Sequence, residues 1–129
     1  MGKLALLCVV AVGSLLLAAC GGGSTRTTVT NCSPSGTKLS VTAKNIVFDT
    51  TCLAAPAGRP FTIAFHNEDG STTHNMAIYT DSSADKALFQ GKLVVGVATE
   101  TYDVKALPAG RYFFRCDVHP QMNGTFNVK

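Results

Sequence analysis

The amino-acid sequence predicts an all-β domain, a sandwich or barrel whose strands are mostly antiparallel. Short stretches alternate between apolar and polar residues, turn-forming Gly, Pro and Asn residues separate these stretches, and no long stretch repeats with the period of a helix. With 129 residues the chain is long enough for one such domain and too short for two.

The predicted strands follow one another from Leu39 to the end of the chain. They are LSVTAKNIVF, FTIAF, HNMAIYT (74–80), one or two strands in KLVVGVATETYDV, RYFFRC and GTFNVK. PAGRP and LPAG are predicted turns, 67–73 is a polar loop, and DSSADKALFQG is a longer connection that has room for a helical turn. In FTIAF the alternation places Phe61, Ile63 and Phe65 on one face, so His66 on the other face is expected to be a surface histidine.

The first 19 residues are predicted to be a signal peptide. Lys3 precedes the apolar stretch LALLCVVAVGSLLLAA, and LAAC at 17–20 resembles the cleavage motif of bacterial lipoproteins. Cys20 would then be the lipidated first residue of the mature protein, and residues 20–38 a flexible tether rich in Gly, Ser and Thr. The alternative is an uncleaved transmembrane anchor, for which the apolar stretch is somewhat short.

Export also changes how the remaining cysteines are interpreted. In an oxidising compartment Cys32 and Cys52 are able to pair, and such a disulfide would join the N-terminal arm to the domain. Two unrelated free thiols are the alternative. Cys116 is then left without a cysteine partner.

The charges of the domain, residues 39–129, are balanced. Eight basic and eight acidic side chains fall in this range, and neither kind forms a run. The composition therefore gives no reason to expect binding to nucleic acid.

The segment RCDVHPQM holds three metal-binding side chains at intervals of three residues, Cys116, His119 and Met122. Soft sulfur together with imidazole suits copper, which cycles between Cu(I) and Cu(II). Structural zinc fits less well, because a thioether is not among its usual ligands. A second imidazole must come from elsewhere, and His74 is favoured over His66 because it lies where a polar loop meets a strand.

The His-Asn pair at 74–75 and CDVHPQM at 116–122 resemble the cupredoxins, the small blue copper proteins of the plastocyanin and azurin family. The Cys-x-x-His-x-x-Met spacing is that of the short ligand loop of amicyanin-like members. The resemblance implies a Greek-key sandwich with one type 1 copper ion, with His74, Cys116 and His119 as equatorial ligands and Met122 as the axial ligand. It also implies that Asn75 joins the two ligand loops by hydrogen bonds, while Pro120 offers no N–H group.

The function expected from this ligand set is that of an electron carrier rather than an enzyme. The chain would be an exported monomer, tethered by lipid to the bacterial cell membrane outside the cytoplasm, that meets redox protein partners transiently. A copper storage or delivery module that supplies a respiratory oxidase is the alternative. A multicopper oxidase or a nitrite reductase would need further histidines, and only His66 remains.

Overall fold

A computed structural model describes residues 28–129, which contain eleven β-strands and no α-helix. The strands are β1 (Lys38–Lys44), β2 (Val47–Phe48), β3 (Cys52–Ala55), β4 (Phe61–Asn67), β5 (Thr73–His74), β6 (Ala77–Tyr79), β7 (Ala87–Gln90), β8 (Val94–Val95), β9 (Ala98–Val104), β10 (Gly110–Arg115) and β11 (Asn123–Val128). Within the described range, no helix has the length and apolar character needed to cross a membrane. The predicted signal peptide and Cys20 lie outside the described residues.

The strands form two main sheets and one small one. One sheet has the order β2-β1-β4-β9, the second has the order β3-β11-β10-β6-β7, and β5 pairs with β8. The pairs β1 with β4 and β3 with β11 are parallel, whereas the other strand pairs of the described residues are antiparallel. The prediction of a mostly antiparallel all-β sandwich is confirmed, and neighbours that are not consecutive in the chain fit Greek-key connections.

The core of the sandwich comes from strands that alternate as the sequence predicts. Phe61, Ile63 and Phe65 of β4 are at most 3% exposed, while His66 on the opposite face is partly exposed. On β10, Phe114 is buried and Arg111 is exposed. Because successive side chains of a strand point to opposite sides, these two strands cover the same apolar interior from two sheets.

Three local predictions are wrong. LSVTAKNIVF is not one strand, because β1 and β2 pair as an antiparallel hairpin on either side of the turn at Asn45 and Ile46. Residues 74–80 are not one strand, because His74 pairs with Val94 in the small sheet, whereas Ala77–Tyr79 pairs with β10 and β7. The connection after it carries strand β7, Ala87–Gln90, in place of a helical turn. The break between His74 and Ala77 places His74 and Asn75 outside the main sheet, where they are available to the site described below.

The N-terminal arm, residues 28–37, is attached to the sandwich by a disulfide between Cys32 and Cys52. The side chain of Asn127 donates hydrogen bonds to the backbone oxygen of Thr30, at 3.2 Å, and toward the sulfur of Cys52, at 3.4 Å. The arm therefore lies against β3 and β11, and Cys116 is the free cysteine of the described residues.

Candidate metal centre

Three side chains with metal-binding atoms meet at one end of the sandwich: His74, Cys116 and His119. Their donor atoms all lie within 4.8 Å of one another. The sulfur of Cys116 is 3.7 Å from Nδ1 of His74 and 4.0 Å from Nδ1 of His119. Atoms bound to one ion at about 2 Å are about 3–4 Å apart, so the three atoms need only small shifts to share an ion.

His74 reaches this end from the short pairing of β5 with β8, where it lies opposite Val94. Its side chain is fully buried. One ring nitrogen, Nδ1, faces the sulfur of Cys116, and the other, Nε2, lies 2.9 Å from Oδ2 of Asp69. The ring is therefore placed between a candidate ligand and a carboxylate.

Asp69 is held in turn by the backbone of the turn between β1 and β2. Its carboxylate accepts hydrogen bonds from the N–H groups of Asn45, at 2.6 Å, and Ile46, at 3.0 Å. These bonds, that of Ile46 first, keep the pKa of Asp69 below its usual value despite partial burial. The carboxylate is consequently ionised at neutral pH, next to the imidazole of His74.

Asn75 joins the two segments that carry the candidate ligands. Its Oδ1 accepts a hydrogen bond from the backbone N–H of Asp117, at 2.8 Å, and its Nδ2 donates to the carboxylate of Asp117, at 3.0 Å. The same amide donates to the backbone oxygen of Gly91, at 3.0 Å. Asn75 is 2% exposed, so this contact fixes the residue after His74 to the residue after Cys116 in a buried setting.

The loop from Cys116 to Met122 closes on itself between β10 and β11. The N–H of Cys116 donates to the backbone oxygen of Met122, and the N–H of Met122 donates to that of His119, both at 2.9 Å. Cys116 and Met122 are buried in the same apolar cluster, at 0% and 2% exposed. A thiol and a thioether are thus brought to the base of the loop.

The outer part of this loop faces solvent. His119 is partly exposed, whereas Val118 is 45% exposed and Pro120 is also exposed. The ring of His119 packs against that of His74 with 4.8 Å between their centroids. One candidate imidazole therefore borders the surface and the other does not.

The remaining histidine lies elsewhere. His66 is on β4, and its Nδ1 is 3.0 Å from the hydroxyl of Thr99 on β9. It is not part of the three-donor cluster found in residues 28–129. Its position on the polar face agrees with the alternation of FTIAFH.

Two carboxylates of this region are missed by the sequence prediction, Asp69 and Asp117. Asp117 accepts a short hydrogen bond from the hydroxyl of Tyr79, and the guanidinium of Arg115 lies over the Tyr79 ring at 4.9 Å. Asp117 follows Cys116 directly, and Asp69 precedes His74 by five residues. Their closeness in sequence to a candidate ligand is the one feature from which these carboxylates could have been predicted.

The donor set fits a soft, redox-active metal better than a hard one. A thiolate and two imidazoles suit copper and zinc, and the buried thioether of Met122 in the same loop is a donor that copper accepts and structural zinc seldom does. The low exposure of the sulfur would also keep water away from an ion bound there.

Comparisons with known proteins agree with this fold. A family model described as a cupredoxin-like domain matches residues 9–128. A search of curated protein sequences found no match.

Solved structures give the same result. Auracyanin from the photosynthetic bacterium Roseiflexus castenholzii is 20% identical over 72% of this chain and 97% of its own, with a TM-score of 0.65. Auracyanin A of Chloroflexus aurantiacus, described as a "blue" copper protein, is 20% identical over 73% of this chain and 99% of its own, with a TM-score of 0.64. Amicyanin from Paracoccus versutus is 23% identical over 71% of this chain and 81% of its own, with a TM-score of 0.54.

Proposed function

This chain belongs to the family of cupredoxin-like domains, and we propose that it binds one type 1 copper ion and carries single electrons. The observation that carries this proposal is the meeting of His74, Cys116 and His119 at one end of the sandwich. Copper bound there would supply a one-electron couple between Cu(I) and Cu(II).

Four side chains would bind the ion. His74, Cys116 and His119 would be the main ligands of the ion, and Met122 a weaker one. Asn75 would keep the two ligand segments at a fixed separation, because its amide oxygen accepts the N–H of Asp117 and its amide nitrogen donates to the carboxylate of Asp117. A set of ligands that does not move between oxidation states favours fast electron transfer.

The exposed part of the ligand loop would be the surface where electrons enter and leave. The edge of His119 reaches it, and Val118 and Pro120 make it partly apolar. Small interfaces of this kind suit brief encounters with redox proteins. Pro120 also lacks an N–H and so donates no hydrogen bond there, while its backbone oxygen accepts one from Nδ2 of Asn123, at 2.9 Å.

We also propose the cellular setting that the leader indicates. The chain would be exported, cleaved before Cys20 and anchored by lipid on that residue, so that the segment ahead of the attached arm at 28–37 would link the membrane to the domain. It would act as a monomer outside the cytoplasm. The disulfide between Cys32 and Cys52 supports an oxidising compartment.

Absorption spectroscopy of the copper-loaded protein tests the proposal. Cu(II) added to the purified chain should give an intense blue colour with one ion bound per molecule, and the colour should bleach when a reductant is added. A colourless Cu(II) form would overturn the assignment of Cys116 as a ligand, and with it the electron-carrier function.

A storage or delivery module is the second candidate, because the partial exposure of His119 leaves a route for an ion to leave. Copper-loaded protein would then transfer its ion rapidly to a chelator or to an apo-oxidase. An electron carrier should instead retain copper while it exchanges electrons with redox proteins. Measuring both rates on one sample separates the two functions.

A further inference from the structure

We propose that Asp69 is a positioning residue for the metal centre. This role rests on the proposed function, because the imidazole that Asp69 would position belongs to His74. Asp69 lies outside the three-donor cluster. Its carboxylate instead connects His74 to the turn between β1 and β2, two parts of the chain that are far apart in sequence.

The contact between the two side chains fixes which nitrogen of His74 is free. Oδ2 of Asp69 is 2.9 Å from Nε2 of His74, and the carboxylate side chain is only 12% exposed. Both oxygens of Asp69 accept backbone N–H groups, so the carboxylate faces His74 as an acceptor and a neutral imidazole carries its proton on Nε2. That leaves the lone pair of Nδ1 directed toward the sulfur of Cys116, 3.7 Å away.

The turn holds the carboxylate from one side. Asn45 and Ile46 have φ angles of 55° and 57°, in the left-handed region that a β-branched residue such as Ile46 seldom adopts. This conformation aims two successive N–H groups at Asp69, one at each oxygen. The anion is therefore bound by a concave piece of backbone, as anions are in other turns of this kind.

A buried amide holds the same loop from the other side. Oδ1 of Asn67 accepts the backbone N–H of Asp69 at 3.0 Å, and its Nδ2 donates to the backbone oxygens of Thr72 and Val94, at 2.8 and 2.9 Å. Since Val94 pairs with His74, Asn67 ties the loop to the strand pair that carries the imidazole. The ring of His74 cannot turn without breaking its bond to a carboxylate that is fixed at both ends.

Two consequences follow for a metal bound at Nδ1. The ring is already in the tautomer and orientation that binding requires, so affinity should depend on Asp69. The negative charge of Asp69 also favours the more positive oxidation state, so its removal should raise the reduction potential.

The first test is the tautomer of His74 in the metal-free full chain, measured by ¹⁵N NMR of the imidazole. The native protein should carry the proton on Nε2. Asp69→Ala should move a measurable fraction of the population to the Nδ1-protonated form. Identical tautomer populations in the two proteins would overturn the proposal.

The second test is copper affinity. Asp69→Ala should raise the dissociation constant by about 10–100-fold, the usual cost of removing such an outer hydrogen-bond partner. If Asp69→Ala does not fold, Asp69→Asn, which keeps an acceptor oxygen and removes the charge, should still weaken binding and raise the potential. A dissociation constant and a potential equal to the native values would contradict the role.

Two matched controls separate positioning from general effects. Glu68→Ala removes a neighbouring carboxylate that pairs with Lys44 at 2.9 Å, and thus tests charge alone. Asp49→Ala removes a carboxylate that accepts the N–H of Thr42 at 3.0 Å in the same hairpin, and thus tests turn stability alone. Both controls should keep the native tautomer and bind copper within about twofold of the native protein, a difference of only ~0.4 kcal/mol.

The outcome also distinguishes this role from the proposed function. If the native chain failed to bind copper, the function would be wrong, yet a tautomer change in Asp69→Ala would still establish the hold on His74. If the native chain turned blue and Asp69→Ala matched it in tautomer, potential and affinity, the function would stand and the positioning role would be overturned.

Discussion

The two histidines of the candidate metal centre are held in opposite ways. His74 is fully buried at the end of a strand, with Asp69 on one ring nitrogen and Cys116 facing the other. His119 lies in a loop between two strands, partly exposed and next to the exposed Val118. Both rings nevertheless reach the same sulfur atom.

This difference indicates that the two parts of the site have different roles. The buried half is built from a strand pair and hydrogen-bonded side chains, which keep a ligand in place at little entropic cost on binding. The outer half is a short loop on that rigid scaffold, where contact with another protein is possible. A carrier needs both, since the ion must stay while the electron leaves.

Cys116→Ser should have the largest effect, because Cys116 is shared by both halves. The blue colour depends on the thiolate, so the Cu(II)-loaded variant should lack the intense visible absorption. His66→Ala is the matched control, since His66 lies on β4 outside the cluster, and it should keep its colour. A blue Cys116→Ser protein would rule out this cysteine as the ligand.

Replacing each histidine by glycine should separate the two halves. Imidazole added to copper-loaded His119→Gly should restore the colour, because the space it fills borders solvent. His74→Gly should need at least about tenfold more imidazole, equivalent to ~1.4 kcal/mol, because that space is buried. A titration followed by visible absorption measures both values, and equal concentrations would contradict the asymmetry.

Asn75→Ala should uncouple the halves without removing a proposed ligand. The backbone N–H of Asp117 and the oxygen of Gly91 would lose their buried partner, so the free energy of unfolding should fall by about 1–3 kcal/mol. Chemical denaturation of the metal-free protein gives this value. Stability equal to that of the native protein would show that the bridge between the segments is not needed.

Met122→Leu should have the smallest effect, since Met122, buried at the base of the loop, is proposed only as a weak ligand. Leucine has a similar volume, so stability should change by less than about 1.5 kcal/mol and the colour should remain. Loss of a sulfur donor should raise the reduction potential. Voltammetry checks this, and an unchanged potential would argue that Met122 does not touch the ion.

The parts of the fold that the sequence predicts are those with strict alternation. Phe61, Ile63 and Phe65 line one face of β4 as the pattern requires. The alternation of apolar and polar residues does not specify which strands pair. The sequence therefore did not predict that His74 and Ala77–Tyr79 belong to two different sheets. Strand β7 was missed as well, because its ends are exposed and its neighbours are polar.

The candidate site also has parts that the sequence predicts and parts that it does not. Cys116, His119 and Met122 are close in sequence, and a short loop keeps them close in space. The contact of His74 with Cys116 spans 42 residues, and it was indicated by the position of His74 where a polar loop meets a strand and by the resemblance to a family. Asp69 lies only five residues before His74, but its contact with His74 also depends on the turn at Asn45, 24 residues away from Asp69, which no spacing in the sequence indicates.

X-ray absorption at the copper edge of the Cu(II)-loaded protein identifies the atoms around the ion, and so determines whether Cys116 and the two histidines bind it. We expect one ion per chain, bound by one sulfur at short distance and two imidazole nitrogens, with the sulfur contribution lost in Cys116→Ser. A coordination shell of oxygen and nitrogen without short-range sulfur would contradict this expectation.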